Sequence, residues 1–507
     1  MFYLIKNILE RKILPGTEKK LIKKIMPVSG SLEENLTYFE SSFENCIDLR
    51  VRKFKIKSNN AAIITLDGMV DKETLAISVL NPILKSNLPE NEQILKQYEY
   101  MKDEVLSTSE QMECFNYEDA MSSLMAGCTL FLIEGVPRIL SIEVQGFESR
   151  PISEPVTEVT QKGSREGFVE KIKVNITLIR RRIKNPNLKF ERMVIGSVSK
   201  TPICLFYLDD MVSPKILDDV KKRLKEVNLK YVLSAEYLIP YLEEKNSFSL
   251  FNAVWVSERP DSVCGKISEG RIGILVDGAP NAVILPYLFA EYFQTMDDYN
   301  QRPYFASLIR ILKYMSFFIS MLLPGIYVAL GTFNPEVFPT EVINKLAASI
   351  GDTPFPLLFE TLIILFIYEI MREAGLRLPR ALGHAVSIVG ALVIGETAVT
   401  SGLIGAPTLM VVALTAISSY VIPNLYEPVA LLRLVFAVVG GVMGVLGITL
   451  LFTMTLIGVC AKNNYGVPFT TSISPFKFGE MRDVFIRAGW KVLSRNYKKV
   501  QNTTKNK

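Results

Sequence analysis

From residue 308 to residue 460 charged side chains thin out and long apolar runs appear, whereas residues 1–270 carry charges every few positions. With 49% hydrophobic and 21% charged residues, the two compositions are segregated along the chain rather than mixed. That segregation predicts a large water-soluble part attached to a membrane part. Four segments have the length and composition to cross the hydrocarbon core: 314–331, 354–371, 385–404 and 429–460. A helix of ~18 residues rises about 27 Å, just enough to span. A fifth segment, 408–421, lies between Pro407 and Pro423 and reaches only about 21 Å. It reads as part of a broken or re-entrant element, which is tolerated only where protein covers it.

The charges that flank these runs set the expected topology. Arg302, Arg310 and Lys313 precede the first span, and "REAGLRLPR" after the second carries Arg372, Arg377 and Arg380. Between them, Glu336, Glu341 and Asp352 face a single Lys345. Residues 461–507 hold ten basic against two acidic side chains, a balance of +8. The positive-inside rule then places both basic stretches and the tail in the cytoplasm, with four crossings. The start, "MFYLIKNILERKILPG", has Lys6, Glu10, Arg11 and Lys12 interrupting any apolar core, so the soluble half is expected to stay cytosolic. The six scattered cysteines lack any CxxC pair and read as reduced thiols. Beside a hydrophobic domain the basic tail does not argue for nucleic acid, and the arm 1–28, with Lys19, Lys20, Lys23 and Lys24 around Leu21, Ile22 and Ile25, reads either as an amphipathic helix touching membrane lipid or as a solvated arm.

The predicted organisation is a basic N-terminal arm (1–28), a cytosolic α/β subdomain (29–150), a second one (160–290), a transmembrane helical domain (308–460) and a basic cytosolic tail (461–507). The fold class is thus a cytosolic α/β region of two small subdomains plus an α-helical polytopic membrane domain. "LRVRKFKI" alternates in period two, and "AAIITLDGMVD" follows as a second strand with an Asp67-Gly68 turn. "CTLFLIEGVPRILSIEVQGF" reads as a further hairpin, and the Pro-, Ser- and Thr-rich segment 148–164 as a linker. "REGFVEKIKVNITLIRRRIKNPNLKFERM" has helical periodicity, "TPICLFYLDD" reads as a buried strand, and 213–227 as an amphipathic helix with Ser213 at the N-cap and Pro214 following. "EGRIGILVDGAPNAVILP" supplies two strands around Asp277-Gly278.

Nothing in the sequence points to catalysis, to a cofactor or to a metal. The chain has one histidine, His384, and no GxxxxGK[ST] loop, no GxGxxG after a strand and no metal-spaced Cys/His set. Acid pairs such as Asp209/Asp210 and Asp218/Asp219 read as solvated helix-end charges. The unusual residues are instead the ionisable ones in the membrane half: Glu360, Glu369, His384 and Glu396. A charge at a helix centre costs roughly 2.5–3.5 kcal/mol on insertion scales. Glu369 and His384 lie near span ends, where snorkelling to the interface is the cheaper arrangement. Glu360 and Glu396 are deeper, and their alternatives are a structural hydrogen bond to another helix or a water path. Thr397, Thr400 and Ser401 make a polar stripe beside Glu396, which favours the water path. Gly440, Gly444 and Gly447 in "VVGGVMGVLG" suit close helix–helix packing.

The blocks "EGRIGILVDGAPNAVILP", "REAGLRLPRALGHAVSIVGALVIGETAVTSGLIGAP" and "LMVVALTAISSYVIP", with "GSREGFVEKIKVNITLIRRRIKNPNLKFERMVIGSVSKT" and "SERPD" upstream, resemble in order the A subunit of GerA-type spore germination receptors. The resemblance covers roughly residues 160–490. One departure is mild: relatives often read "DGTPF" where this chain has Asp277-Gly278-Ala279-Pro280-Asn281. The resemblance implies a nutrient-responsive receptor in the inner membrane of bacterial spores. It also implies work beside a transporter-like nutrient-binding B subunit and a lipoprotein C subunit, and self-assembly into a ring that passes cations. No catalytic residue is carried over. The combined expectation is an oligomeric, ligand-gated cation channel subunit with Glu396, Glu360, Thr397 and Thr400 on its polar path. The alternatives are an ion- or proton-coupled solute transporter and a non-conducting relay scaffold.

Overall fold

The structure is a computed structural model that describes residues 26–86, 93–106, 110–146, 160–243, 250–341, 353–378, 395–474 and 481–493, with the single positions 155, 158 and 351. The chain divides into two compact units. One comprises Met1–Phe43 and Asp48–Glu148, the other Glu44–Ile47 and Ser149–Lys507. The basic arm proposed for residues 1–28 lies outside the described residues except for its last three.

In the first unit, β1 (Leu49–Ile56), β2 (Asn59–Leu66), β3 (Gln111–Cys114), β4 (Thr129–Ile133) and β5 (Ile139–Ile142) form a sheet in the order β1-β2-β4-β5-β3. Every neighbouring pair is antiparallel. The alternating "LRVRKFKI" forms the edge strand β1, whose exposed Arg50, Arg52, Lys53 and Lys55 discourage pairing with another chain. Helix α1 (Leu32–Ser42) is capped by Ser31. Helix α2 (Tyr117–Ala126) is capped by Asn116 and stopped by Gly127 at φ 99°, a left-handed cap that a side chain would strain. Ile63, Phe131, Ile133, Leu140, Tyr98 and Met101 belong to the core.

The second unit holds β6 (Leu188–Ile195), β7 (Thr201–Leu208), β8 (Trp255–Ser257), β9 (Ile272–Val276) and β10 (Ala282–Leu285) in the order β6-β7-β9-β10-β8, again antiparallel throughout. Helices α3 (Ile172–Arg182), α4 (Pro214–Lys225) and α5 (Pro260–Ser268) accompany it, with Ser213 at the α4 N-cap position as expected. Strand–helix alternation suggests parallel pairing; here two antiparallel sheets result, because the described connections β1–β2, β6–β7 and β9–β10 are short hairpins. The helical reading of the block ending in "LKFERM" is corrected. Helix α3 stops at Arg182, Asn185-Pro186 turns the chain, and Leu188–Ile195 is a strand.

Two buried arginines explain "SERPD" and "EGRIG". Arg259 donates to Glu158 O (3.2 Å), Thr160 Oγ1 (3.1 Å) and Ser164 O (2.8 Å) and pairs with Asp261 at 2.6 Å. The far end of the segment read as a linker is therefore docked against the sheet subdomain. Arg271 is fully buried between Glu269 and Glu291 and donates to Pro286 O at 3.0 Å, while Lys266 meets Glu291 at 3.0 Å. Burial also pushes the Cys264 thiol up to about 12, which makes it a poor nucleophile.

Glu158 is partly buried and accepts a hydrogen bond from Ser257 Oγ at 2.6 Å. Burial pushes its carboxyl up to about 7, against the opposing pull of Ser257 and the Arg259 charge. A carboxyl that holds its proton more tightly when folded stabilises the fold at low pH. That stability falls as pH rises from about 4.5, its ordinary value, to about 7, and is flat above. The whole effect is at most about 3 kcal/mol. Thermal unfolding of wild type is thus expected to show a downward Tm trend between pH 5 and pH 7 that Glu158→Gln flattens; an unchanged trend in the variant would assign it to other groups.

Beyond the sheet, the described residues include the helices α6 (Pro303–Phe333), α7 (Leu357–Arg377), α8 (Gly395–Thr400), α9 (Ala406–Tyr420) and α10 (Tyr426–Ala461). Among the described residues, two helices are long and apolar enough to cross a membrane, Pro303–Phe333 and Pro423–Ala461. Helix α7 covers the second expected span but carries Glu360, Glu369, Arg372, Glu373 and Arg377. Only the end of the third span is described, as α8, and helix α9 is the short fifth segment.

The second sheet and the long helices share one core. It runs from Phe190 and Phe206 through Tyr287 and Phe293 to Phe317 and Phe436. At the start of α6, Arg310 is fully buried between Asp298 and Asp483. Beyond α10, the hairpin of β11 (Asn463–Asn464) and β12 (Val467–Pro468) inserts Tyr465 and Val467 into the core on the other sheet face. Tyr465 donates to Leu242 O at 2.7 Å. Helix α6 therefore leaves the sheet subdomain and α10 returns to it.

Candidate functional site in the helical region

Where α6 and α10 pack, their backbones touch. A Cβ on Gly440 would lie 2.5 Å from Gly325 O, and one on Gly325 would lie 2.6 Å from Phe436 O, so both positions require glycine. Gly444 adopts φ 64° and ψ −152° and kinks α10, and a Cβ there would meet the Phe333 ring at 3.1 Å. A Cβ on Gly447 would first meet Met443 and Val439 of its own helix across that kink, at 2.5 and 2.7 Å.

Glu360 stands in the first turn of α7 and is 1% exposed. Its carboxylate accepts from Gly405 N at 2.6 Å, and Gly405 is the N-cap of α9. Unsatisfied N–H groups and a partial positive charge gather at a helix N-terminus, so one carboxylate serves two helix starts, α7 and α9. Nearby, Tyr327 of α6 and Thr408 of α9 share a hydrogen bond at 3.0 Å. Helix α8 ends at Thr400, and the amides of Leu403 and Ile404 fold back onto Ala398 O at 3.0 and 3.1 Å. That turn, with Gly402 at φ 67°, joins α8 to α9. Glu360 and Thr397 line the same cavity of about 360 Å3.

Glu396, Thr397 and Thr400 are exposed. Residues 396 and 400 stand one helical turn apart and share a face. Thr400 spends its hydroxyl on Glu396 O at 2.8 Å, so the threonine offers an acceptor outward rather than a donor. The structure thus brings Glu360 to Thr397, and leaves Glu396 and Thr400 on an open face. His384 lies outside the described residues.

The snorkelling reading of Glu369 is corrected, because its partner is inside the protein. Arg433, fully buried on α10, pairs with Glu369, which also accepts from Tyr426 and meets Arg372 at 3.4 Å. Arg372 lies 3.6 Å over the Tyr426 ring. Reading 429–460 as a plain apolar run passes over Arg433, which the rule that an intramembrane charge needs a partner singles out. Arg310 and Lys313 likewise do not act as free flanking charges: Asp298 takes Arg310 at 3.1 Å and Lys313 at 3.0 Å. Among the described residues, no cluster of His, Cys, Asp and Glu could hold a metal ion.

Two antiparallel sheet subdomains followed by a helical region with two helices long and apolar enough to cross a membrane suggest a membrane-associated protein. The chain belongs to the family described as the Bacillus/Clostridium GerA spore germination protein, which it matches over residues 37–498. It is 36% identical to spore germination protein KA of Bacillus subtilis (strain 168), over 91% of this chain and 85% of that one. It is 34% identical to the uncharacterized membrane protein YfkQ of the same organism, over 92% and 91%, and 31% identical to spore germination protein GerLA of Bacillus cereus, over 92% and 94%. Among solved structures, the N-terminal domain of the A subunit of the Bacillus megaterium spore germinant receptor GerK3 aligns at 31% identity and a TM-score of 0.42, covering 53% of this chain and 99% of that one.

Proposed function

We propose that this chain is a subunit of a nutrient-responsive spore germination receptor. In this reading it assembles with copies of itself into a ligand-gated cation channel in the spore inner membrane. Its partners are a nutrient-binding B subunit, a lipoprotein C subunit and membrane lipid. The receptor role is supported by family membership and by relatives named as spore germination proteins. The observation that carries the channel reading is the open polar face of Glu396 and Thr400 on α8. A lone chain leaves that face uncovered, and lipid is a poor solvent for it; a ring of copies turns it inward as a polar path with a carboxylate that attracts cations.

The return of α10 to the subdomain that α6 leaves supports an even number of crossings. Both termini then lie on the side of the sheet subdomains, in the cytosol. The same two anchor points suit gating, since a shift of the subdomain moves both helix ends.

The decisive experiment is planar-bilayer recording of the purified chain with its B and C partners, with and without nutrient. Nutrient-dependent cation current supports the channel. Solute uptake without current points to a coupled transporter, and neither points to a relay scaffold. Glu396→Gln keeps size and hydrogen bonding and removes charge. It is expected to leave assembly intact and to slow nutrient-triggered cation release severalfold. Reduced assembly would make Glu396 a structural link, and normal assembly with normal release would remove it from the path.

A further inference from the structure

The cavity between α7, α8 and the turn into α9 has a composition of its own. Its apolar walls include Ile363 and Ile367 on one side and Leu403 and Ile404 on the other, and only Glu360 and Thr397 among its lining side chains are polar. About 360 Å3 lies near the lower end of ligand-pocket volumes of about 300–1,000 Å3. Glu360 is 1% exposed, and its one hydrogen bond among the described residues is the amide of Gly405. No lysine or arginine among the described residues pairs with it. A carboxylate has about four acceptor sites, so one backbone amide leaves most of them unused, and beyond the helix starts of α7 and α9 the described residues give it no cationic partner in this apolar wall.

We propose that this cavity binds a small organic cation, a primary ammonium on a short apolar chain. The ammonium sits on Glu360 with the Thr397 hydroxyl beside it, and the chain lies against Ile363, Ile367, Leu403 and Ile404. Charge complementarity selects the occupant. A neutral hydrocarbon leaves the carboxylate unpaired, and an inorganic cation needs a shell of oxygen ligands that these walls do not supply. The occupant ties α7 to the α8–α9 turn, the junction that Glu360 already closes through Gly405. The inference is independent of conduction, since such a site works equally in a channel, a transporter or a relay.

The test uses the purified full-length chain in detergent, labelled with a photoreactive aliphatic amine bearing a diazirine, with cross-links mapped by mass spectrometry. Labelling is expected to concentrate on residues 355–367 and 397–404. Excess n-hexylamine at roughly ten times its Kd is expected to lower it about tenfold, whereas equal n-hexanol or potassium chloride leaves it unchanged. Ile363→Trp and Ile367→Phe fill the cavity from two positions and are each expected to abolish the competable labelling. Glu360→Gln is expected to erase the preference of hexylamine over hexanol. Labelling spread evenly over the apolar surfaces of α6 and α10 would overturn the proposal. So would competition by hexanol as strong as by hexylamine, competition by potassium, or wild-type labelling in both filled variants.

Discussion

Arg310→Met is expected to destabilise the chain by about 3–5 kcal/mol, the penalty for breaking a buried ion pair by removing one partner. Arg310 is fully buried, and its guanidinium donates to Asp298 Oδ2 at 3.1 Å and to Asp483 at 2.7 Å (carbonyl) and 2.9 Å (carboxylate). Asp298 is itself 1% exposed and also holds Lys313 at 3.0 Å, while Tyr299 donates to Asp483 at 2.8 Å. Removing the arginine leaves Asp298 with one cation and Asp483 with none of its ionic partners in this cluster. The residues after α10 then lose their ionic tie to α6 and keep the weaker one from Arg487 N to Ser307 Oγ at 3.0 Å. Thermal unfolding in detergent measures the effect, with Arg377→Met as the reference. Arg377 is highly exposed and pairs with Glu373 one turn away, an arrangement that contributes about 0.3–0.5 kcal/mol. A Tm loss for Arg310→Met no larger than that of Arg377→Met would show that the buried cluster contributes nothing.

The second large effect is expected at Arg433. Methionine there leaves Glu369 facing Tyr426 and Arg372 without its buried cation, at a loss of about 3–5 kcal/mol. Glu369→Gln is expected to be as harmful, because Arg433 is fully buried and its Nε and Nη1 have no hydrogen-bond partner among the described residues. The double variant Glu369→Gln/Arg433→Met removes both charges and is expected to recover much of the loss, since an apolar or neutral pair of similar volume is often no less stable than a buried ion pair. A double-mutant cycle reads this as a coupling well outside the ~0.5 kcal/mol scatter of independent sites. Simple additivity of the two single losses would refute the pairing.

Local features were legible because local chemistry sets them. The alternation of "LRVRKFKI" makes β1, and Ser213-Pro214 opens α4. "KFERM" is ambiguous, since Leu188, Phe190 and Met193 satisfy a helical spacing loosely while the break at Asn185-Pro186 carries the decisive signal for a strand. Glu360 and Glu396 both stood out as costly charges, yet nothing in their spacing told one from the other. Glu360 meets Gly405, 45 positions away, whereas Glu396 faces outward on a six-residue helix. The distance of Glu369 from a span end says nothing of its partner Arg433, which lies 64 positions further on.

The sequence by itself determined the partition into a charged half and an apolar half, the existence of most strands and helices, and the family. These follow from burial patterns of period two or 3.6 and from composition, which are properties of neighbouring residues. Only the tertiary structure decided which charges are paired, that the sheets are antiparallel, that Gly440 meets Gly325 backbone to backbone, and that the chain beyond α10 returns to the second sheet. Each of those depends on residues far apart in the chain that folding brings within a few ångströms, and the free energy of a charge or a glycine there is set by the partner it meets rather than by its neighbours in sequence.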